Sequence, residues 1–247
     1  MLFLLPKIEG EELKPTYRLE HKSCFDFLKT LESNSIDFIL IDPPYEVSRE
    51  TNFQSGGGVE RLRISMDFGD WDYNFTGMDE VIQECYRVLK KGGTLFCFYD
   101  LWKITTLKTY FDEAKFKQLR FVEWIKTNPV PINSKVNYLT NAREIALVGV
   151  KGGKPTFHSQ YDKGIYEYPI CHEKGRFHPT QKPLELIKEI ILKHSNEGDL
   201  ILDCFSGSGS TAVASLLTGR SFIGCEINEE FYNKSKERME TVYQSLF

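Results

Sequence analysis

The sequence predicts an α/β fold in which a mostly parallel sheet is covered by helices on both faces. Strand-like and helix-like patterns alternate along the chain, and that alternation is typical of parallel sheets. The composition is that of an ordinary globular protein, because 41% of the 247 residues are hydrophobic and 27% are charged. No repeat or low-complexity linker interrupts the chain, so residues 1–247 are expected to form a single domain.

Six apolar runs predict buried strands. They span residues 35–41, 94–99, 120–125, 144–150, 200–204 and 221–225. Apolar residues at helical spacing predict a helix from Met78 to Leu89, a second helix that Pro183 opens, and a charged final helix over 229–245. Two stretches, 46–71 and 151–182, interrupt this alternation, and long loops within a compact domain are commonly functional.

Composition limits the classes of function. The net charge is −4, from 31 basic and 35 acidic residues, so a nucleic-acid partner would need a local basic surface. The six cysteines form no C-x-x-C pair, and His158, His172 and His178 are interpreted as polar loop residues, so no metal site is expected. No apolar run approaches the roughly 18 residues that cross a bilayer, which favours a cytoplasmic protein without a membrane partner.

A glycine-rich turn late in the chain predicts a nucleotide-like cofactor. The segment DLILDCFSGSGSTAVA, residues 199–214, places a strand ending at Asp203 before a glycine turn and a small-residue helix. Such a turn lets backbone N–H groups approach a ligand, and Glu226, at the end of the next strand, is suited to bind a ribose. The turn lacks the G-K-[ST] of a P-loop, which disfavours ATP hydrolysis. An NAD-dependent oxidoreductase or a nonenzymatic nucleotide-binding domain remains an alternative.

A second strand end carries candidate catalytic residues. In SIDFILIDPPY, residues 35–45, a buried strand delivers Asp42 to its carboxyl end, followed by Pro43, Pro44 and Tyr45. The prolines have no N–H, so this rigid turn presents a carboxylate and carbonyl oxygens, all of which accept hydrogen bonds. That set suits the exocyclic amine of a nucleobase, and Tyr45 offers a flat face on which a base can stack.

These motifs resemble those of the amino-group DNA methyltransferases that use S-adenosylmethionine. The resemblance rests on four segments, which are DPPY at 42–45, RVLKKGG at 87–93, HPTQKP at 178–183 and DCFSGSG at 203–209. The catalytic motif precedes the cofactor motif, which is the order of the beta group. The family implies a Rossmann-like methyltransferase sheet in which the two motif strands are neighbours. It also implies an inserted target-recognition region, here over 151–177, and a mobile catalytic-site loop is expected over 46–71.

The resemblance implies site-specific transfer of a methyl group to adenine N6 in double-stranded DNA, after the base is flipped out, within a restriction–modification system. Cytosine-N4 methylation uses the same hydrogen-bonding logic and remains an alternative, although its motif more often begins with serine than with aspartate. Cytosine-C5 methylation needs a cysteine nucleophile, usually after proline, and the sequence contains no Pro-Cys.

The resemblance also assigns the residues of the site. The catalytic set is Asp42, Pro43, Pro44 and Tyr45. The residues implied in cofactor binding are Ser23, Cys24, Phe25, Asp42, Thr180, Lys182, Asp203, Phe205, Ser206, Gly207, Ser208, Gly209, Ser210, Thr211, Glu226, Ile227 and Asn228. Thr180 and Lys182 would reach the carboxylate of the methionine moiety, and Glu226 would hold the ribose. The chain departs from the family before Cys24, where an acidic residue usually contacts the cofactor adenine.

Basic residues in the two long stretches are candidates for DNA contacts, because residues 151–182 carry six basic against three acidic side chains. A solvated polar loop is the competing interpretation. The candidates are Arg49, Arg61, Arg63, Lys151, Lys154, His158, Lys163, Lys174 and Arg176. The implied partner is double-stranded DNA, and the family adds a homodimer and a cognate restriction endonuclease as candidate partners.

Overall fold

A computed structural model describes residues 14–44, 75–129, 139–171, 176–178 and 180–246. In these residues the chain forms eight strands, which are β1 (Tyr17–His21), β2 (Ile36–Ile41), β3 (Leu89–Tyr99), β4 (Lys117–Lys126), β5 (Arg143–Val150), β6 (Ile165–Tyr168), β7 (Leu200–Asp203) and β8 (Ser221–Glu226). The helices are α1 (Cys24–Lys29), α2 (Met78–Val88), α3 (Ile104–Glu113), α4 (Leu184–His194), α5 (Ser210–Leu217) and α6 (Glu229–Leu246).

The strands form one sheet in the order β1-β8-β7-β2-β3-β5-β4-β6. Neighbouring strands run parallel except at β5, which is antiparallel to both β3 and β4. All strands other than β5 therefore end at one edge of the sheet, called here the carboxyl edge. β5 ends at the opposite edge, called the amino edge. The predicted mostly parallel α/β sheet is confirmed.

Both faces of the sheet are covered, which explains why the central strands are apolar throughout. Successive side chains of a strand point to opposite faces. On β2, Ile39 and Ile41 enter a core formed with α1, α2 and α3, whereas Phe38 and Leu40 enter a second core beneath α4. α5 and α6 complete that second side, where Met239 is fully buried. Burial of each such side chain contributes about 1.5–3 kcal/mol.

The six strands and three helices predicted from the sequence are all present, with ends that differ by a few residues. The largest difference is in β3, which begins at Leu89 rather than at Thr94. The extension continues to pair at the amino edge, because the N–H of Gly92 donates to the carbonyls of Lys151 and Gly152. A loop that docks there from a distant part of the chain was not visible in the local pattern.

Four elements were missed because their signals are weak. β1 and β6 are the outer strands of the sheet and have only five and four residues. α1 has six residues, and α3 buries only Leu107 and Phe111. Among the residues placed here, no helix has the length and apolarity that a membrane crossing requires.

Candidate active site

The two motif strands are neighbours in the sheet. β2 pairs in parallel with β7, and β7 pairs in parallel with β8. Asp42 directly follows β2, Asp203 ends β7, and Glu226 ends β8, so three carboxylates lie on adjacent strands at the carboxyl edge. The next strand along the chain after β2 lies on its other side, which makes this edge a topological switch point, where open α/β sheets bind ligands.

A cavity of about 290 Å³ opens between these strand ends. Its lining includes Asp42, Pro43 and Pro44 of the predicted catalytic set, whereas Tyr45 lies outside the described residues. The predicted cofactor residues in the lining are Ser23, Cys24, Phe25, Asp42, Thr180, Lys182, Asp203, Phe205, Ser206, Gly207, Ser208, Ser210, Thr211, Glu226 and Ile227. Motifs that are about 160 residues apart in the sequence therefore share one space.

Two of the predicted cofactor residues support the cavity without lining it. Gly209 precedes the first residue of α5 and has a left-handed φ of 72°. Asn228 precedes α6, and its Oδ1 accepts from the N–H of Phe231 at 3.0 Å. Both residues therefore directly follow residues of the cavity lining, and a direct cofactor contact from either stays a prediction.

Backbone N–H groups hold the carboxylate of Glu226 in place. The N–H of Gly207 donates to Oε2 at 2.7 Å, and the N–H of Asn228 donates to Oε1 at 2.8 Å. Burial raises the pKa of the Glu226 carboxyl, and these donors oppose that rise. Each oxygen has a further lone pair, so the group can still accept from a pair of hydroxyls.

The turn at Gly207 needs glycine for two reasons. Its φ is +49°, in the left-handed region that side chains with a Cβ rarely adopt. A Cβ at this position would also lie 3.2 Å from Nε2 of His178. The absence of a side chain thus brings the segment before α4 directly over the glycine turn.

Aromatic rings form one wall of the cavity. Phe25 stacks on Phe75 with ring centroids 5.9 Å apart, and Phe75 meets Phe205 edge-on at 5.4 Å. Beside them, the Ser23 hydroxyl caps α1, because it accepts from the N–H of Asp26 and donates to its carboxylate. Burial raises the pKa of the Cys24 thiol to about 12, so that thiol is neutral. The wall is therefore flat and apolar, as a stacked adenine ring requires.

A buried lysine holds the Asp42 carboxylate. Oδ2 of Asp42 accepts from Nζ of Lys182, whose side chain is only 7% exposed. Burial raises the pKa of the Asp42 carboxyl, and the Lys182 ammonium opposes the rise. Oδ1 of Asp42 is buried and has no hydrogen-bond partner among the residues that the structure describes. An unpaired buried acceptor costs about 1–3 kcal/mol, so Oδ1 marks a place for a donor from a ligand.

Asp203 is a second buried carboxylate at this edge. Burial raises its pKa to about 7, while the N–H of Phe205, which donates to Oδ1 at 2.9 Å, and the Thr211 hydroxyl oppose the rise. The nearby carboxylates of Asp42 and Glu226 add to the rise through repulsion. Oγ of Ser206 is also buried and lacks a hydrogen-bond partner within the described ranges. The cavity thus has polar groups that its own chain does not fully satisfy.

His178 is a loop residue, as predicted, and its ring also belongs to the cavity. Its ring lies in the cavity lining, with its centroid 4.4 Å from that of Phe231 and its Nδ1 3.2 Å from Oγ1 of Thr180. Burial, helped by the Lys182 and Arg176 cations, lowers the pKa of His178 to about 4, so the ring is neutral. The available signal was its position in HPTQKP. Phe75, another missed residue of the lining, gave no signal.

Several DNA-contact candidates lie at the amino edge, away from Asp42. Because β5 is antiparallel, the residues that follow it, 151–164, emerge at that edge, and Lys154 and Lys163 belong to them. The Lys151 ammonium donates to Oδ1 of Asn34 at 2.9 Å and to the Arg87 carbonyl at 3.0 Å. The ring of His158 bonds to the side chain that follows α4, Oδ1 of Asn196, at 3.0 Å. These internal bonds do not support a contact with a base near Asp42.

β6 brings the chain back to the carboxyl edge. Arg176 follows it there, and its Nη1 donates to the Cys171 carbonyl at 3.1 Å. The described part of 151–177 is therefore spread over both edges of the sheet. The 46–71 loop and its candidates Arg49, Arg61 and Arg63 lie outside the described residues, as does Lys174. Their roles stay predictions.

Comparison with known proteins identifies the family. The DNA methylase family (N6_N4_Mtase) matches residues 36–237, which contain both motif strands and the whole segment between them. The chain belongs to this family. The resemblance of DPPY and DCFSGSG to the motifs of amino-group DNA methyltransferases is confirmed, and the oxidoreductase alternative is set aside. DNA is accordingly the substrate class of this enzyme.

Curated relatives of this DNA methylase extend over nearly its whole length. The Type II methyltransferase M2.DpnII of Streptococcus pneumoniae is 34% identical, with 92% of each chain covered. The Type II methyltransferase M2.MboI of Moraxella bovis is 33% identical, covering 94% of this chain and 90% of the relative. The DNA adenine methyltransferase YhdJ of Escherichia coli (strain K12) is 31% identical over 89% of this chain and 81% of its own.

Solved structures of DNA methyltransferases share the fold. The complex of M1.HpyAVI with S-adenosylmethionine superposes with a TM-score of 0.68 at 27% identity, covering 90% of this chain and all of the other. The cytosine-N4-specific PvuII methyltransferase superposes with a TM-score of 0.69 at 16% identity, covering 96% and 95% of the two chains. That second likeness shows the fold alone, because the two sequences are only 16% identical.

The DNA methylase family depends on S-adenosylmethionine, and the cavity residues fit that molecule. Glu226 retains lone pairs for a ribose, Phe25, Phe75 and Phe205 supply an apolar wall, and Ser206 offers an unpaired hydroxyl. The volume of about 290 Å³ is near the lower end of the roughly 300–1,000 Å³ of ligand sites. In the part of the chain with described placement, no cluster of histidine, cysteine and acidic side chains has a metal-binding arrangement.

Proposed function

We propose that this DNA methylase transfers a methyl group from S-adenosylmethionine to adenine N6 at specific sites in double-stranded DNA. One observation carries the proposal. The unpaired Oδ1 of Asp42 and the Glu226 carboxylate belong to one cavity, so an acceptor for an amino group stands beside a site for a nucleoside. The name of YhdJ, a DNA adenine methyltransferase, favours adenine as the base.

The residues of the glycine turn and its neighbours hold the cofactor. Glu226 binds the ribose hydroxyls, Ile227 packs against the adenine, and Gly207 leaves room for close approach of the backbone. Thr180 and Lys182, which line the cavity, orient the methionine carboxylate, and Lys182 also bonds to Asp42. When bound, S-adenosylmethionine supplies an electrophilic methyl group on a sulfonium sulfur.

Asp42 and Pro43 orient the amino group that receives the methyl. The N6 lone pair of adenine is delocalised into the ring, so the free base is a poor nucleophile. Hydrogen bonds from N6–H to Oδ1 of Asp42 and to the Pro43 carbonyl favour a more tetrahedral nitrogen. The fixed acceptors also stabilise the positive charge that develops on nitrogen, and Asp42 can then take the departing proton.

The target base must leave the helix to reach this cavity. Unstacking and unpairing cost a few kcal/mol, and stacking on Tyr45 returns about 1–3 kcal/mol. Single-stranded DNA avoids the cost of unpairing. The relative rates on duplex and single-stranded substrates of one sequence therefore measure how much the protein contributes to base flipping.

Nucleoside analysis of methylated DNA tests the choice of base. The protein is incubated with tritiated S-adenosylmethionine and unmethylated genomic DNA, which is then digested to nucleosides and sequenced at modified positions. We expect the label in N6-methyldeoxyadenosine at one short sequence. Label in N4-methyldeoxycytidine would establish the cytosine alternative instead, and no transfer despite cofactor binding would contradict the proposal.

Two variants separate chemistry from folding in this assay. Asp42→Asn should lower the rate of transfer by about 10²–10³-fold, because a preorganised charged acceptor is lost. Cofactor affinity, measured by calorimetry, should change by only a few-fold. The matched control is Asp112→Asn on α3, whose carboxylate pairs with Lys108 on the surface. Equal rates for Asp42→Asn and the control would remove Asp42 from the catalytic role.

We infer three further features of this protein. We place the protein in the cytoplasm, in a restriction–modification system with a cognate endonuclease, and as a candidate homodimer. The relatives named Type II methyltransferases support the restriction–modification role. Sedimentation of the purified protein tests the dimer, and cleavage of unmethylated but not methylated DNA by a co-purifying endonuclease tests that partner.

A further inference from the structure

Four charged side chains alternate in sign next to the cavity. Lys182 contacts Asp42 on one side and lies 3.1 Å from Oε2 of Glu144, and Oε1 of Glu144 lies 2.9 Å from Nζ of Lys126. The side chains of the outer members, Asp42 and Lys126, are 24% and 14% exposed. Two cations and two carboxylates thus neutralise one another in a largely buried chain of contacts.

The strand positions explain how these groups meet. Asp42 follows Phe38 and Leu40 in the alternation of β2, so it belongs to the face of the sheet covered by α4. Glu144 is two residues from Ala146 on β5, so both side chains point to the same face of the sheet. Lys126 and Trp124 are related in the same way on β4. Ala146 and Trp124 both belong to the core beneath α4. Lys182 precedes α4. Four separate elements therefore place these charges on one face.

Glu144 does not touch the cavity. Asp42 and Lys182 are in its lining, whereas Glu144 and Lys126 lie behind them. Oε2 of Glu144 lies 3.1 Å from Nζ of Lys182 and pairs with that ammonium by charge. The Lys182 ammonium is thereby shared between two carboxylates.

We propose that Glu144 is a positioning residue for the catalytic carboxylate: by sharing the Lys182 ammonium, it confines Lys182 to Oδ2 of Asp42 and leaves Oδ1 open to the target amino group. The inference rests on the proposed function, since it assigns Oδ1 to the N6–H bond. Without the Glu144 charge, the Lys182 ammonium would pair with Asp42 alone. The Asp42 carboxylate would then accept a hydrogen bond from the base less strongly.

The charged groups around Asp42 determine whether a substitution raises or lowers the pH at which Asp42 titrates. The groups that face its carboxylate are Lys182 before α4, Glu144 on β5, Lys126 on β4, Asp203 on β7 and the Cys97 thiol on β3. The negative charge of Glu144 favours protonation of Asp42, whereas the positive charge of Lys126 opposes it. Neutralising these two groups should therefore shift the titration of Asp42 in opposite directions.

Carbon-13 NMR of aspartate carboxyls in the cofactor-free protein tests this inference without any turnover. The Asp42 resonance is assigned by its loss in Asp42→Asn. We expect its midpoint to move to lower pH in Glu144→Gln and to higher pH in Lys126→Gln. The matched control is Glu123→Gln on β4, whose carboxylate lies 3.8 Å from the exposed Arg143, and it should leave the midpoint unchanged.

Kinetics complete the test. Glu144→Gln should lower kcat for methyl transfer by about 10–100-fold, with little change in KM for S-adenosylmethionine, because the acceptor is misplaced while the cofactor site is intact. Midpoints that stay fixed, or that move in the same direction in both variants, would overturn the inference. If Glu144→Gln does not fold, Lys126→Gln alone decides it. Opposite shifts in a protein that methylates no amino group would reject the proposed function and the role assigned to Oδ1, while the charge coupling between Glu144 and Asp42 would stand.

Discussion

The two edges of the sheet use their polar side chains differently. At the amino edge, the Lys151 ammonium binds Asn34 and a carbonyl, and Asp37 accepts from both Lys90 and the N–H of Leu200. At the carboxyl edge, Oδ1 of Asp42 and Oγ of Ser206 are buried without hydrogen bonds among the described residues. Polar side chains at the amino edge therefore bond to the protein itself, whereas those at the carboxyl edge leave polar atoms with which a ligand can bond.

This difference has an energetic meaning. A buried acceptor without a donor costs about 1–3 kcal/mol, and a carboxylate held in apolar surroundings costs more unless it is protonated. The raised pKa values of Asp42, Asp203 and Glu226 record that cost, and burial is the main cause of all three. Such destabilised groups cluster at functional sites because ligands supply the missing partners.

The largest effect on binding is expected at Glu226. Glu226→Gln should weaken S-adenosylmethionine binding about 10–100-fold, because hydrogen bonds to a charged group contribute about 1.5–3 kcal/mol. The amide nitrogen would also oppose one of the two N–H groups that now bind the carboxylate. Calorimetry gives the affinity directly. Glu197→Gln, at the exposed turn before β7, is the control and should bind as tightly as the unmodified protein; equal affinities for both variants would contradict the ribose assignment.

A stability difference is expected at Asp203, and its size depends on pH. Its pKa is about 7 in the folded protein, above the ordinary 3.8, so burial of the charged form opposes folding at neutral pH. Asp203→Asn should therefore raise the Tm of the cofactor-free protein above pH 7, by about 2–4 °C for each kcal/mol relieved. The gain should shrink as pH falls through the folded pKa and disappear below the ordinary value of 3.8, where both states are protonated. Thermal unfolding across this range is the measurement, and a gain independent of pH would contradict the prediction.

The sequence was informative where a motif coincides with a strand end. A buried strand followed by Asp42, and another that ends at Asp203, could be recognised from local patterns, and the parallel sheet then places their ends together. That inference predicts a shared cavity, whereas the resemblance to the family supplied lining residues such as Ser23, Thr180 and Lys182. Phe75 could not be predicted, because only the folded chain brings its ring between Phe25 and Phe205.

The direction of one strand limits what the sequence could predict about the basic segment. Residues 144–150 were predicted as a strand, but no local pattern distinguishes a parallel from an antiparallel neighbour when both faces are buried. β5 is antiparallel, so the basic segment after it emerges at the amino edge rather than beside Asp42. The same reversal brings Glu144, at the start of β5, to the carboxyl edge, where it meets Lys182. Its role could not be read from the sequence for that reason.

The smallest effects are expected when one cation at each edge of the sheet is replaced by alanine. Arg176→Ala, at the carboxyl edge, should weaken DNA binding a few-fold and reduce the slope of log K against log salt by about 0.9, the value for one phosphate contact. Lys151→Ala, at the amino edge, should leave that slope unchanged and instead lower stability by about 1 kcal/mol, because its bonds to Asn34 and Arg87 are internal. Fluorescence anisotropy of a labelled duplex at several salt concentrations, with thermal unfolding of both variants, measures the two quantities. A reduced slope for Lys151→Ala would mean that DNA also reaches the amino edge, and the contrast between the edges would then fail.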